Sequence, residues 1–111
     1  ITDDTGTLFV CLHIFHTVKH IVMYKLKDST EQNAIELQQK FLSMKGKIAE
    51  LKDIESGIDA LRSDRSFDVV LICKFDSMED METYKTHEVH LPVMAYVKSV
   101  VEKSHSVDFI D

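Results

Sequence analysis

From Val18 to Leu26 apolar and polar side chains alternate, with Val18, His20, Val22, Tyr24 and Leu26 on one parity and Lys19, Ile21, Met23 and Lys25 on the other. A period of two is that of a β-strand. Apolar residues on both parities predict a strand covered on each face, by helices on one side and a second sheet on the other. Asp28-Ser29-Thr30 follows with oxygens suited to a helix N-cap, and Gln32 stands three residues after Ser29, as in a capping box. Ala34, Leu37, Phe41, Met44, Ile48 and Leu51 then recur at steps of three and four, flanked by Ile35, Leu42 and Ala49. This spacing predicts one long amphipathic helix.

Asp53 to Leu61 reads as a weaker strand whose Ile54, Ile58 and Ala60 share a face. After the polar turn Arg62-Ser63-Asp64-Arg65-Ser66 comes a strong strand, Phe67 to Phe75, so the two predict a hairpin. Ser77 can cap a short helix carrying Met78, Met81 and Tyr84. Following a break over Thr86 to Leu91, a second helix is expected from near Pro92, with Val93, Val97, Val100 and Val101 on its apolar side. Ser106 to Ile110 reads as a last strand. The order β-α-β-β-α-β, its second helix split in two, predicts an α+β fold of ferredoxin-like type. Ile21, Met23, Val70, Ile72 and Ile110 are assigned to the sheet face away from the helices, and an apolar face of that kind predicts self-association into a homodimer.

The chain has 111 residues, which suits one domain. Its 44% hydrophobic and 29% charged residues are the balance of a soluble globular protein. Thirteen Lys+Arg against nineteen Asp+Glu give a net charge of −6, which argues against nucleic acid as a partner. The longest apolar runs, Leu8 to Phe15 and Val69 to Cys73, fall short of the roughly 18 residues that a membrane span requires, so no membrane partner is expected. Cys11 and Cys73 lack metal-site spacing and read as reduced thiols of a cytoplasmic protein. Residues 1–17 open with Asp3 and Asp4 and lack the features of a secretory signal. They are expected to be an N-terminal extension or an added remnant, with Leu8 to Leu12 able to form an edge strand, and residues 18–111 to be the domain.

Several stretches together resemble the stress-responsive A/B barrel family of dimeric α+β barrels. These are Val18-Lys19-His20-Ile21-Val22, Leu51-Lys52-Asp53-Ile54 with Gly57, Phe67-Asp68-Val69-Val70-Leu71 leading to Phe75-Asp76, Tyr84-Lys85-Thr86-His87-Glu88-Val89-His90, and the closing Val107-Asp108-Phe109. The resemblance spans Val18 to Asp111. It implies a homodimer whose two sheets face each other to close a barrel, with a small pocket between each sheet and its own helices. It also implies no cofactor. Relatives include stress-induced plant proteins, cofactor-free monooxygenases and a polyketide cyclase. In the cyclase the tyrosine and second histidine of Tyr-x-x-His-x-x-His carry an intramolecular aldol condensation. Four positions depart from these relatives: Glu88 stands where the family has Pro, Ser104 and Ser106 stand where the cyclase has bulky apolar residues, and Val69 stands where it has a histidine.

Carried over by position, His90 is the candidate base and Tyr84 its partner. An aldol closure needs a base working near neutrality and a donor for the developing enolate oxygen, which a neutral imidazole and a phenol supply. The start of a helix near Pro92 favours the neutral ring. The same two side chains would also serve to satisfy backbone groups where one helix ends and the next begins. His20, Val22, Tyr24, Leu37, Phe41, Val69, Leu71 and His87 are the expected pocket lining, for most of which core packing is the competing role. His87 and His90 lack a third ligand for a metal, so no metal site is assigned. The sequence therefore supports three readings: a homodimer that binds a small, partly polar organic molecule or acts chiefly as a stable stress-induced protein, a cofactor-free enzyme of the cyclase or monooxygenase kind using His90 and Tyr84, or a structural oligomer whose pocket is vestigial.

Overall fold

A computed structural model describes residues 17–111. The Leu8 to Leu12 strand, Cys11, His13 and His16 lie outside the described residues. Strand β1 (Val18–Leu26) leads to helix α1 (Glu31–Leu42), the hairpin strands β2 (Asp53–Ile58) and β3 (Val69–Phe75), helices α2 (Met78–Lys85) and α3 (His90–Val100), and strand β4 (Val101–Ile110). The four strands form one antiparallel sheet in the order β2-β3-β1-β4. This is the expected ferredoxin-like βαββαβ arrangement with its second helix split.

The alternation of β1 and β3 sorts directly into two faces. Val22, Tyr24 and Leu26 pack under the helices with Val69, Leu71, Cys73 and Phe75, against Leu37 and Phe41 of α1 and Met81 and Tyr84 of α2. Ile21, Met23, Val70 and Ile72 take the other face. Ile110 does not join them: it pairs opposite Val18, whose side chain is buried on the helix side, and residues opposite one another in an antiparallel pair share a face. The apolar residues that β4 gives to the open face are instead Val107 and Phe109, opposite Ile21 and Lys19.

Helix α1 starts within the predicted Asp28-Ser29-Thr30 stretch, but Thr30 is the N-cap, accepting from the Asn33 N–H at 3.1 Å, and the Ser29–Gln32 capping box does not form because Ser29 bonds to Asp68 and Gln32 to Glu36. It ends earlier. Its apolar stripe continues through Met44, Ile48 and Leu51, all buried, but beyond Leu42 the backbone bonds tighten to three-residue steps, such as Met44 N–H to Phe41 C=O at 3.1 Å. Gly46 then takes φ +78, a left-handed conformation that stops a helix at little cost only at glycine. β2 likewise stops at Ile58 instead of Leu61. The Asp59 carboxylate accepts the Arg62 N–H at 2.7 Å and Arg62 adopts φ 59, which turns the chain out of the sheet.

Asp68 is a buried charge, 2% exposed, at the junction of these pieces. Its carboxylate accepts the Leu26 N–H at 2.8 Å and the Ser29 hydroxyl, with the Arg62 guanidinium at 3.4 Å and Lys25 at 3.9 Å. Its own N–H donates to Tyr24 C=O at 2.8 Å. One side chain thus ties the end of β1 to the start of β3 and to the hairpin loop.

α1 packs on β2 and β3, so the helical layer is offset from the β4 edge of the sheet. β4 follows α3 without an intervening residue, and beyond Val101 all its residues are exposed. A gap is left on the helix side, between α3 and strands β1 and β4. No helix among the described residues is long and apolar enough to cross a membrane.

Candidate functional site

The register of β1 with β4 sets what lines this gap. Tyr24 pairs with Ser104, Val22 with Ser106 and His20 with Asp108, so three residues of each strand stand side by side on the helix face. The gap is a cavity of about 670 Å³ lined by His20, Val22 and Tyr24, by Ser104 and Ser106, by Leu91, Met94, Val97 and Lys98 of α3, and by Tyr84 and Lys85 at the end of α2. An apolar floor with a few convergent polar groups is the ordinary composition of a small-molecule pocket.

Tyr84 occupies the centre of an aromatic cluster. Its ring lies 4.3 Å from the His90 ring, 5.0 Å from Phe75 and 6.5 Å, edge-on, from His20, measured between centroids. Its hydroxyl accepts from the Cys73 thiol at 3.8 Å. Burial, reinforced by Cys73, drives the Tyr84 phenol above its ordinary range, so it stays an O–H. Burial also pushes the Cys73 thiol up to about 12, only partly opposed by its bond to Tyr84, which keeps it protonated and unreactive.

His90 opens α3 and is buried, 7% exposed. Its Nδ1 lies 2.9 Å from Lys85 C=O. A carbonyl only accepts, so Nδ1 carries the proton and, in the neutral ring, Nε2 holds the lone pair that a base requires. Burial lowers the His90 pKa; the bond to Lys85 C=O opposes this, while the neighbouring His20, His87 and Lys85 add to it. The neutral ring is the form present near pH 7. His20, facing Tyr84 from β1, bonds through Nδ1 to the Asp108 carboxylate.

Residues 18–111 match the family model for the stress responsive A/B barrel domain. The chain belongs to the stress-responsive A/B barrel family. Among solved structures, this A/B barrel chain is similar to a dimeric protein of ferredoxin-like fold from Bacteroides fragilis, with 26% identity over 84% of this chain and 94% of the other and a TM-score of 0.71. It is also similar to a dimeric ferredoxin-like protein from Thermobifida fusca, at 19% identity over 85% and 90% of the two chains with a TM-score of 0.73. A third is a hydroxynitrile lyase from Passiflora edulis, at 19% identity over 86% and 93% with a TM-score of 0.73. No curated protein sequence matches the chain significantly.

Within this A/B barrel domain the expected site residues separate into two groups. His20, Val22, Tyr24, Tyr84 and His90 meet in the cavity. Leu37, Phe41 and Leu71 do not line it: they are buried in the core on the α1 side of the sheet, where Phe41 stacks on Tyr24 at 4.9 Å. Val69 is also buried, and borders a different cavity of about 410 Å³ reached by Met23, Gly57 and Phe67. His87 turns back on its own loop, where Nδ1 accepts the Val89 N–H at 3.0 Å, and is not among the cavity residues. Asp108 and Met94 were not singled out from sequence. Met94 follows from the helical period of Leu91, Met94 and Lys98 once α3 is known to start at His90, whereas Asp108 requires the β1–β4 register. Among the described residues no group of three or more His, Cys, Asp or Glu side chains is placed to hold a metal ion.

Proposed function

We propose that this A/B barrel domain binds a small, partly polar organic molecule in the cavity between α3 and strands β1 and β4, and works as a homodimer joined through its open sheet faces. The observation that carries the ligand reading is the cavity itself, about 670 Å³ with apolar Val22, Val97 and Met94 facing Tyr84, His90, His20 and two serines. The homodimer is supported by the exposed apolar side chains of the open face and by the dimeric description of the Bacteroides fragilis and Thermobifida fusca proteins.

A second reading, acid–base catalysis without a cofactor, is favoured by the state of His90. A ring kept neutral, with Nδ1 committed to Lys85 C=O, beside a phenol that stays protonated, is a base next to a hydrogen-bond donor. The Tyr84 hydroxyl would have to leave Cys73 to reach a substrate oxygen. The same fold carries a lyase in Passiflora edulis, a likeness of fold.

Methionine-methyl NMR with a fragment set of small phenols and ketones tests the ligand reading. Met94 lines the cavity, Met44 and Met81 are in the core and Met23 is on the open face. Saturable shifts confined to Met94 and the His90 ring are expected, abolished by filling the cavity with Val22→Phe. Shifts scattered over all five methionine methyls, or hits that survive the filling, would place binding elsewhere.

A further inference from the structure

Gly57 stands on the open face of the sheet, in a row that the strand registers set across it: Gly57 beside Val70, Val70 beside Met23, Met23 beside His105. A glycine weakens the interior of a strand, since it loses the most backbone freedom on folding and packs nothing. The local backbone does not require it here, because among the described residues Gly46 is the glycine with positive φ. Crowding does not require it either: a Cβ added at Gly57 would meet Val70 Cγ1 at 3.4 Å, an ordinary contact. What the missing side chain leaves is space. The cavity of about 410 Å³ that Gly57 borders is walled by Met23, Val70 and Ile58 from the strands and by Arg65, Ser66 and Phe67 from the end of the hairpin loop.

Two carboxylates also border this cavity, Asp59 and Asp68, and both are committed elsewhere. Asp59 accepts the Arg62 N–H at 2.7 Å, and Asp68 is held by the Leu26 N–H, Ser29, Arg62 and Lys25. The Ser66 hydroxyl is bonded to that of Ser63 at 2.8 Å. Arg65 is exposed and, among the described residues, has no ion-pair partner. Lys103, 5.7 Å from the centre of the Phe67 ring, is a second cation nearby. The charge left over at the edge of an apolar cavity is therefore positive.

We propose that this cavity is a second ligand site, separate from the one between α3 and strands β1 and β4, and that it takes a small organic acid. The apolar body of the acid lies over Gly57, Val70, Met23 and Phe67, and its carboxylate meets the Arg65 guanidinium. A planar guanidinium pairs with a carboxylate through two parallel N–H bonds, a fit that an alcohol or an amine does not reproduce. Burial against the strands supplies the affinity common to acid and alcohol, and Arg65 separates the two.

The test follows the methionine methyls of the full chain by NMR during titration with octanoate, octanol and octylamine. Met23 lines this cavity, Met94 lines the other, and Met44 and Met81 report on the core. Octanoate should give a saturable shift at Met23 and none at Met94. It should bind about tenfold more tightly than octanol, the scale of one charge-assisted hydrogen bond, with octylamine weakest of the three. Arg65→Gln should bring octanoate close to octanol and leave octanol unchanged. Gly57→Val, which fills the cavity with a residue suited to strands, should abolish the Met23 response to both. If that variant displaces the Met44 and Met81 methyls, Gly57→Ala takes its place and should weaken acid and alcohol by the same factor. A Met23 methyl indifferent to octanoate, equal binding of acid and alcohol, a preference that survives Arg65→Gln, or a response at Met94 in place of Met23 overturns the proposal. Binding that is untouched by the glycine substitution does so as well. Octanoate binding by Ile72→Glu but not by the wild type would mean that a second copy covers the cavity, and it too overturns the site.

Discussion

Two buried ionisable residues each make the fold less stable as pH falls, in different pH ranges. Burial works to raise the Asp68 pKa, but the Ser29 hydroxyl, the Leu26 N–H, Lys25 and Arg62 together hold it below its ordinary 3.8. A carboxyl whose folded pKa is depressed adds stability above its unfolded value, and that stability is lost as pH falls through the folded one. Asp68→Asn should therefore lower stability at pH 7 by about 1–3 kcal/mol in urea unfolding, with the gap to wild type closing as the pH is taken below about 4. His90 is depressed by burial in its neutral direction, so the unfolded chain takes up a proton before the folded one does. Its contribution is an added loss of stability as pH falls below 6.5, levelling off once the folded ring is protonated as well. Any rate that uses His90 as a base should rise with pH to a plateau, with its midpoint below 6.5, and His90→Gln should abolish it while leaving the fold intact. A ring titration by NMR, run beside the rate profile, checks both the midpoint and its assignment.

At the scale of elements, the chain declares some boundaries and conceals others. Thr30 and Ser77 cap their helices through Asn33 N–H and Asp80 N–H, as short polar side chains before an amphipathic run should. Thr30→Ala should cost about 1 kcal/mol in a denaturation midpoint, the usual worth of such a cap. The end of α1 was not legible, because Met44, Ile48 and Leu51 keep the spacing of a helix while burying themselves from a series of tight turns. Hydrophobic period reports which side faces the core, and it does so whether or not the backbone is helical. Gly46 carried the missing signal. An added Cβ there meets no atom within 4 Å, so Gly46→Ala should be opposed only by backbone strain, about 1 kcal/mol, and Gly46→Asn should recover part of it. β4 was read from Ser106 onward because Glu102, Lys103 and Ser104 show no alternation of apolar residues, and a strand exposed on both faces has none to show. The same exposure hid the partner of His20: His20, Tyr84 and His90 were found from sequence, but Asp108 is identifiable only after β4 is laid antiparallel to β1 in a definite register.

For the molecule as a whole, the two sides of the sheet have different tasks. The helix side buries the core and leaves the cavity at its uncovered margin. The open side presents Met23, Val107 and Phe109, which are 44%, 55% and 40% exposed, around the half-buried Ile21, Val70 and Ile72. Phe67 reaches the same side, with Lys103 5.7 Å above its ring and His105 at 5.2 Å. If two such faces meet, Ile72→Glu places an unpaired charge between sheets, and the assembly should dissociate into monomers by native mass spectrometry. An unchanged dimer mass would mean that another surface joins the copies. Leu61→Glu, on the exposed hairpin loop, is the matched control and should leave the mass unchanged.

β4 serves both tasks at once, residue by residue. Ser104 and Ser106 line the cavity and Asp108 shares their face beside His20, while Lys103, His105, Val107 and Phe109 take the opposite parity. The strand is thus two interleaved sequences written on one backbone. Substitutions can alter either sequence independently, so the cavity lining and the open apolar face can change without interfering. Insertions and deletions have no such freedom. A slip of one position would deliver Val107 and Phe109 to the helix side and Asp108 to the apolar face, altering both surfaces in a single event while leaving the composition of the strand almost unchanged.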